Sequence, residues 1–316
     1  MGILISAVLP IALVAFVGVV IGRVFTLERQ TLAKLSIYAL VPALVLHSLA
    51  KTTLALGDAI AILTTFIIHT ALLYLLAIIL GQLLKFSADE KKSLIATTIF
   101  ANVGNMGLPF VLFSLGAAGL ERAIVYLVGS SLMTASVFPT VLKGEGILKG
   151  LRYTLCLPVL WAAIAGILLQ GSGTVMPLPI QRGITLMSEG AIPVALLMLG
   201  IQLSETPFIF GRYELLGAGL RLIVSPLVAF NIANLVGLTG IDRQVVVLQS
   251  AMLVAVNSLI WVTELGGDTV RVARTIVMST LLSLGTLPVV LWLSSRWHIV
   301  CKRCPRSFTI ATNLFF

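Results

Sequence analysis

Long runs of apolar residues, each close to the length of a membrane-crossing helix, dominate the sequence. A helix needs about 20 apolar residues to cross the hydrocarbon core of a bilayer. Ten runs approach this length, at 3–22, 32–50, 58–84, 93–115, 121–142, 153–170, 183–203, 208–236, 244–263 and 270–295. Only 10% of the residues are charged, against about 25% in a typical soluble domain. The sequence therefore predicts an all-α protein with ten transmembrane helices embedded in the lipid bilayer.

The basic residues lie in short connectors between the apolar runs, and positive connectors mark the cytoplasmic side of a membrane protein. With the N-terminus outside, twelve lie in inner connectors and four in outer ones. The inner set is Arg23, Arg29, Lys34, Lys85, Lys91, Lys92, Lys143, Lys149, Arg152, Arg212, Arg271 and Arg274, and the outer set is Lys51, Arg122, Arg182 and Arg243. Four basic residues near the C-terminus oppose this orientation: Arg296, Lys302, Arg303 and Arg306. We predict a multi-pass protein of the cell (inner) membrane with its N-terminus outside.

The net charge of +9 is spread over these connectors and forms no continuous basic face. A nucleic-acid partner is therefore not expected.

The two halves of the chain share a set of residues at a nearly constant spacing. Five pairs are separated by 148–152 residues: Pro10 with Pro158, Pro42 with Pro193, Asn105 with Asn257, Gly116 with Gly266, and Pro139 with Pro288. Each half would hold five spans, and an odd number makes the second half enter the membrane from the opposite face. We therefore predict two inverted five-helix repeats, an arrangement found in many secondary transporters. The first repeat is 1–143, a short cytoplasmic linker is 144–152, the second repeat is 153–297, and a C-terminal tail is 298–316.

The fourth apolar run contains the segment ANVGNMGLPF, residues 101–110, which is unlike a membrane helix. Its candidate site residues are Asn102, Gly104, Asn105 and Pro109, because glycine and proline break helices and asparagine caps the broken ends. Backbone groups freed in hydrocarbon cost several kcal/mol each unless they are paired. The segment is therefore predicted to be a broken helix beside protein or a water-filled cavity.

The equivalent segment of the second half is AMLVAVNSLIW, residues 251–261. It holds Asn257 and Ser258 but neither proline nor glycine, so we expect its break to be the weaker one. Broken helices four and nine from inverted halves would cross near the membrane midplane. Helix N-termini there carry partial positive charge. The predicted ligand is a small organic anion, such as a carboxylate, bound at this crossing.

Ionisable residues within the apolar runs are further candidates for function. Glu189 and His47 are candidates for binding a coupling proton or sodium ion. Arg221 is expected either to extend its side chain to the membrane interface or to pair with an anion. The CxxC of Cys301 and Cys304 is a weak metal signal on its own, so no metal or other cofactor is predicted. The sequence lacks HExxH, GxSxG and nucleotide-binding motifs, which argues against an enzyme.

Five segments resemble the auxin efflux carrier family: ANVGNMGLPF, VPALVLHSLA, IPVALLMLGIQLS, AVNSLIWVTELGGD and STLLSLGTLPVVLWL. The resemblance extends over roughly residues 5–295. It implies ten helices in two inverted five-helix repeats, with broken helices four and nine crossing as in bile-acid symporters and sodium–proton antiporters. By motif position it places Asn102, Asn105, Pro109 and Asn257 at the crossing. The short connection KGEGILKGLR between the halves resembles bacterial members of the family.

The function expected from these features is secondary active transport of a small organic anion, auxin-like or a dicarboxylate, by alternating access. A channel or membrane sensor on the same scaffold is the alternative. A homodimer is compatible with the sequence.

Overall fold

The computed structural model describes residues 2–143, 147–205 and 211–301. Linker residues 144–146 and tail residues 302–316, with Cys304 among them, lie outside the described residues. Within the described ranges the fold is all-helical and has one isolated β-bridge. The helices are α1 (Gly2–Val24), α2 (Arg29–Leu35), α3 (Val41–Ala50), α4 (Leu56–Leu83), α5 (Ala88–Ile99), α6 (Leu108–Lys143), α7 (Ile147–Leu155), α8 (Pro158–Ser172), α9 (Leu178–Glu205), α10 (Arg212–Gly219), α11 (Ser225–Val236), α12 (Gly240–Ser250), α13 (Asn257–Leu265) and α14 (Thr269–Cys301).

Six helical stretches among the described residues are long and apolar enough to cross a membrane. They are Gln30–Ala50, Leu56–Leu83, Val103–Ser136, Leu178–Ser204, Arg212–Val236 and Thr269–Arg296. Val8–Val24 and Pro158–Ser172 are shorter apolar helices. The sequence predicted ten spans, and six candidates meet the criteria of length and composition. The first and sixth predicted runs form the two shorter helices, the fourth and fifth share Val103–Ser136, and the ninth is interrupted. The protein is therefore an all-helical, multi-pass membrane protein, and the ten-span inverted repeat stays a prediction.

Three π-helical turns join helices into longer rods. Ser36–Leu40 joins α2 to α3, Val103–Gly107 leads into α6, and Leu220–Val224 joins α10 to α11. A π-helical turn inserts one extra residue into a helix and is frequently found at functional sites. Two of these turns, at 103–107 and 220–224, lie beside the interruptions described below.

Proline and glycine set two of the helix boundaries. The sixth apolar run was expected to start at residue 153, but helix α8 starts at Pro158, after an extended Leu157. Proline favours the first turn of a helix because that position needs no N–H donor. Helix α6 changes direction at Gly116, whose φ of 71° is in the left-handed region, and so covers the end of the fourth run and all of the fifth.

Helix packing divides the described chain into two bundles. The first bundle is formed by α1, α2, α3, α8 and α9, in which α9 contacts α1, α2 and α3, and α3 also contacts α8. The second is formed by α4, α5, α6 and α10–α14. The bundles meet where α6 and its leading π-helical turn contact α1, α3, α8 and α9. This interface contains the sites discussed below.

Polar networks hold the connectors together at the two ends of the molecule. At one end, called here the Glu90 end, Arg271 forms ion pairs with Glu90 and Asp268 at 2.6 and 3.0 Å. At the opposite, Glu121 end, the Thr52 hydroxyl donates to Glu121 at 2.8 Å, and Arg122 pairs with Asp242. Each network joins connectors that are distant in sequence.

Candidate functional site

The two interrupted helices touch each other at their interruptions. Helix α5 ends at Ile99 and helix α12 ends at Ser250. The segments that follow form an antiparallel bridge, in which the Asn102 N–H donates to the Leu253 carbonyl at 2.8 Å and the Ala255 N–H donates to the Phe100 carbonyl at 2.9 Å. Unpaired backbone groups are costly in a membrane, and here the two segments satisfy each other. We call this pairing the crossover.

The second interruption is longer than the first, so the expectation of a weaker second break was wrong. Residues 251–256 separate α12 from α13, whereas residues 100–102 separate α5 from the next helical turn. The physical reason is that tertiary partners hold the second break open. Its Val254 N–H donates to the Ser279 hydroxyl at 3.1 Å, in addition to the bonds across the crossover. Glycine and proline are therefore not needed there.

Asn102 caps the helix that follows the first break. Its Oδ1 accepts the Asn105 N–H at 3.2 Å, and its carbonyl accepts the Gly107 N–H at 3.0 Å. Its side-chain Nδ2 is buried and has no hydrogen-bond partner in the described part of the chain. A buried, unpaired amide donor is unfavourable, and a ligand oxygen would relieve that cost.

A cavity of about 230 Å³ lies against the crossover, and we call it the crossover cavity. Four of the predicted site residues line it: Asn102, Gly104, Asn105 and Asn257. Ser36, Ser130, Ser131 and Thr134 contribute hydroxyl groups to its lining, and Trp261 contributes an indole. None of the described residues lining it carries an ionisable side chain. Its walls therefore offer amide and hydroxyl groups and the N-terminal ends of two helices, but no formal charge.

A second cavity of about 430 Å³ shares Asn105 and Asn257 with the first. We call it the Glu264 cavity, because Glu264 is the one ionisable residue among the described residues that line it. Gln30, Gln202 and Thr263 add polar groups. Asn105 and Asn257 thus border both cavities, and the first bundle forms the opposite wall of each.

The remaining predicted site residues lie elsewhere. Pro109 is buried at the start of α6 and lines neither cavity. Ser258 is buried, and its hydroxyl donates to the Ala255 carbonyl at 2.6 Å.

The two coupling-ion candidates lie in the first bundle. His47 Nδ1 is 3.2 Å from the Thr185 hydroxyl, and Glu189 is exposed on α9. Neither lines a cavity of the crossover.

The structure contradicts one of the two expectations for Arg221. The residue is buried, so it does not reach the membrane interface, while pairing with an anion stays a prediction. Its Nε donates to Met252, its Nη1 to Thr98 and its Nη2 to Ser250, in each case to a backbone carbonyl, at 2.9, 2.9 and 2.7 Å. The sequence signal was a lone arginine in an apolar run. Its partners come from two distant segments, so the sequence could not identify them.

The arrangement separates the helix ends by charge. The C-terminal ends of α5 and α12, which carry partial negative charge, face Arg221. The N-terminal ends of α13 and of the helix capped by Asn102, which carry partial positive charge, border the crossover cavity. Partial charges at helix ends attract ions of opposite sign. The cavity side of the crossover therefore favours an anion. Among the described residues no group of three or more His, Cys, Asp or Glu side chains is placed to hold a metal ion.

Comparison with known proteins gives a family and several relatives. Residues 3–145 and 147–291 match the model of a family described as "Membrane transport protein". An "Uncharacterized transporter" of Methanothermobacter thermautotrophicus is 29% identical over 292 residues, covering 90% of this chain and 95% of the relative. A second, from Methanocaldococcus jannaschii, is 26% identical over 90% of this chain and 95% of its own length. A "Putative malonate transporter" of Rhizobium meliloti is 23% identical, with 90% and 94% covered.

Proposed function

The chain belongs to the membrane transport protein family, the auxin efflux carriers, and from this premise we propose that it is a secondary active transporter of a small organic anion. The substrate is a carboxylate, and its binding site is the crossover cavity. The observation that carries the proposal is the pair of helix N-termini that border this cavity together with Asn102, Asn105 and Asn257.

The lining of the crossover cavity suits a carboxylate that must be released again. Hydrogen bonds to a charged group contribute about 1.5–3 kcal/mol each, while a full positive charge in the wall would hold the anion more tightly. The volume of about 230 Å³ suits a small molecule. The name of the Rhizobium meliloti relative supports a short dicarboxylate, and malonate is the first substrate to test.

Alternating access follows if the two bundles move relative to each other. Both cavities lie between the bundles, so a rocking motion would open and close them without breaking either bundle. The ten-span inverted repeat is part of this proposal, and the left-handed φ of Gly116 and Gly266, at 71° and 81°, supports it by equivalent geometry in the two halves. Glu189 and His47 are the proposed groups for a coupling proton or sodium ion.

The test is transport by purified protein in liposomes loaded with malonate. Asn105→Ala removes an amide from the wall shared by both cavities, and we expect a loss of substrate affinity of about tenfold or more. Asn231→Ala is the matched control, because Asn231 is exposed on α11 and its amide donates to the Leu227 carbonyl of its own helix. Equal malonate affinity in the two variants would refute the crossover cavity as the binding site.

Counterflow distinguishes a carrier from a channel. Internal unlabelled malonate should accelerate the uptake of labelled malonate by a carrier, because the loaded site returns faster than the empty one. Flux that rises linearly with concentration and shows no counterflow would indicate a channel instead.

A further inference from the structure

Arg221 lies behind the crossover, on the side away from the crossover cavity. It belongs to the π-helical turn Leu220–Val224, and 1% of it is exposed. Its three hydrogen bonds go to Thr98, Ser250 and Met252. These carbonyls lie in the last turns of α5 and α12 or directly after them. A helix leaves its last carbonyls without intrahelical partners, and Arg221 satisfies carbonyls from both interrupted helices at once.

The charge of Arg221 is balanced by these helix ends. Among the described side chains, no carboxylate forms an ion pair with it. Removing an unpaired guanidinium from water costs several kcal/mol. Two aligned C-terminal helix ends supply partial negative charge in return. The crossover therefore contains a permanent positive charge on the side opposite the proposed anion site.

A histidine and a serine fix one of the carbonyl partners. The Ser225 hydroxyl donates to the Ser250 carbonyl at 2.7 Å, so its oxygen must accept from His69 Nε2, which lies 3.0 Å away. His69 Nε2 therefore carries a proton. This series of hydrogen bonds holds the Ser250 carbonyl in position for the Arg221 guanidinium.

Half-helix C-termini in the middle of a membrane are common sites for a coupling cation such as sodium. Here the equivalent place is filled by a side chain. We propose that Arg221 is a built-in cation that neutralises both interrupted helices and makes anion binding at the crossover independent of any bound metal ion. The statement about anion binding rests on the proposed function, whereas the statement that Arg221 neutralises the interrupted helices does not.

The first test measures the melting temperature of detergent-purified protein in sodium, guanidinium and choline chloride, each at low millimolar concentration. A protein with Glu189→Gln and His47→Gln, which lacks the two groups proposed for a coupling ion, should melt at the same temperature in all three salts. Arg221→Ala should melt several degrees lower than the wild-type protein, and guanidinium should restore part of the loss, because it binds the vacated carbonyl groups. Choline is the matched control, because it carries the same charge but has no N–H donor.

Two further variants separate the effect of the Arg221 charge on stability from the effect of its side-chain volume. Arg221→Met keeps most of the side-chain volume without the charge, and it should melt below Arg221→Lys, which keeps the charge. An Arg221→Met protein as stable as the wild type would overturn the proposal. So would a melting temperature that rises with sodium but not with choline in a protein with Glu189→Gln and His47→Gln, since a separate cation site outside those two groups would then exist.

The second test measures malonate binding by the wild-type protein in sodium and in choline chloride. Equal affinity in both salts supports the proposal, and an affinity that still depends on sodium in a protein with Glu189→Gln and His47→Gln overturns it. If malonate does not bind at all, the proposed substrate fails, while the melting experiments still decide the role of Arg221. If Arg221→Ala does not fold, the melting temperatures of Arg221→Lys and Arg221→Met still test whether the charge of Arg221 is needed.

Discussion

Glu90 stabilises the start of helix α5 through a reciprocal pair of hydrogen bonds. The Ser87 N–H donates to the Glu90 carboxylate at 2.8 Å, and the Glu90 N–H donates to the Ser87 hydroxyl at 3.3 Å. Arg271 adds an ion pair at 2.6 Å. The backbone N–H of Ser87, followed by the Ser87 hydroxyl and the charge of Arg271, lowers the pKa of Glu90 below its ordinary value of 4.5.

This lowered pKa predicts a pH-dependent contribution to stability. A carboxylate with a lowered pKa in the folded state stabilises fully above its ordinary pKa and loses that contribution as the pH falls through the lowered value. Glu90→Gln should therefore melt below the wild type at neutral pH, and the gap should narrow as the pH falls below 4.5 and through the lowered pKa of Glu90. Melting curves from about pH 7 to pH 3 measure the gap. In a Ser87→Ala background the difference in melting temperature should be smaller at every pH. A difference that does not change with pH would contradict the lowered pKa of Glu90.

Residues of the crossover cavity wall were predictable where the signal was local. Asn102 and Asn105 stand out because amides beside glycine and proline are unusual in an apolar run, and the structure places both in the cavity wall. Ser130 and Thr134 gave no such signal, because hydroxyls are common inside membrane helices. Their place in the cavity depends on how α6 packs against the crossover.

At the scale of helices, α1 and α9 pack with their backbones in contact. A Cβ atom on Gly200 would lie 1.9 Å from the Ala15 carbonyl oxygen, and one on Gly18 would lie 2.3 Å from the Leu197 carbonyl oxygen. Small residues allow this close approach, which is a main source of helix association in membranes. The first bundle therefore depends on a few glycines.

Gly200→Ala tests this contact. The added methyl group meets backbone atoms, which have little freedom to move aside, so we expect a loss of about 1–3 kcal/mol in the free energy of unfolding. Gly190→Ala is the matched control on the same helix, because its Cβ would be 3.6 Å from Leu40 Cδ2, an ordinary contact. Melting temperatures of the two variants give the comparison. Equal stability would show that α1 and α9 separate more easily than the packing implies.

Helix positions followed from the sequence, but the lengths of the interruptions did not. Apolar runs located α4, α9 and α14 within a few residues. The break at 251–256 escaped prediction because the hydroxyl of Ser279 and the carbonyl groups across the crossover specify it. No local residue pattern encodes such partners.

For the molecule as a whole, the distribution of basic residues between its two ends bears on orientation. Lys91, Lys92, Arg212 and Arg271 lie near the Glu90 end, where the Tyr213 hydroxyl also donates to the Glu90 carbonyl at 2.8 Å. Lys51 and Arg122 lie at the Glu121 end. By the positive-inside rule the Glu90 end is the proposed cytoplasmic side.

Cysteine labelling on intact cells tests this orientation. In a chain with Cys156, Cys301 and Cys304 replaced by serine, Lys51→Cys should react with a membrane-impermeant maleimide. Asp89→Cys, which is exposed at the Glu90 end, should react only after the cells are permeabilised. If only Asp89→Cys were labelled on intact cells, the Glu90 end would lie outside, and the proposed orientation would be wrong.

The overall class was predictable because ten apolar runs with few charges leave only a membrane protein. The count of spans is harder to establish from helix length, since each interrupted helix is divided into pieces too short to cross a bilayer. The two-bundle arrangement also depends on contacts between distant helices that the sequence does not display.

The antiparallel bridge between Ala101 and Val254 has an evolutionary consequence. Side chains alternate in direction along paired extended segments, so a one-residue insertion in either segment would turn the following side chains to the opposite face. It would also displace the carbonyls that Arg221 binds. The two segments are therefore under a joint constraint, and a change of length in one is viable only with a compensating change in the other.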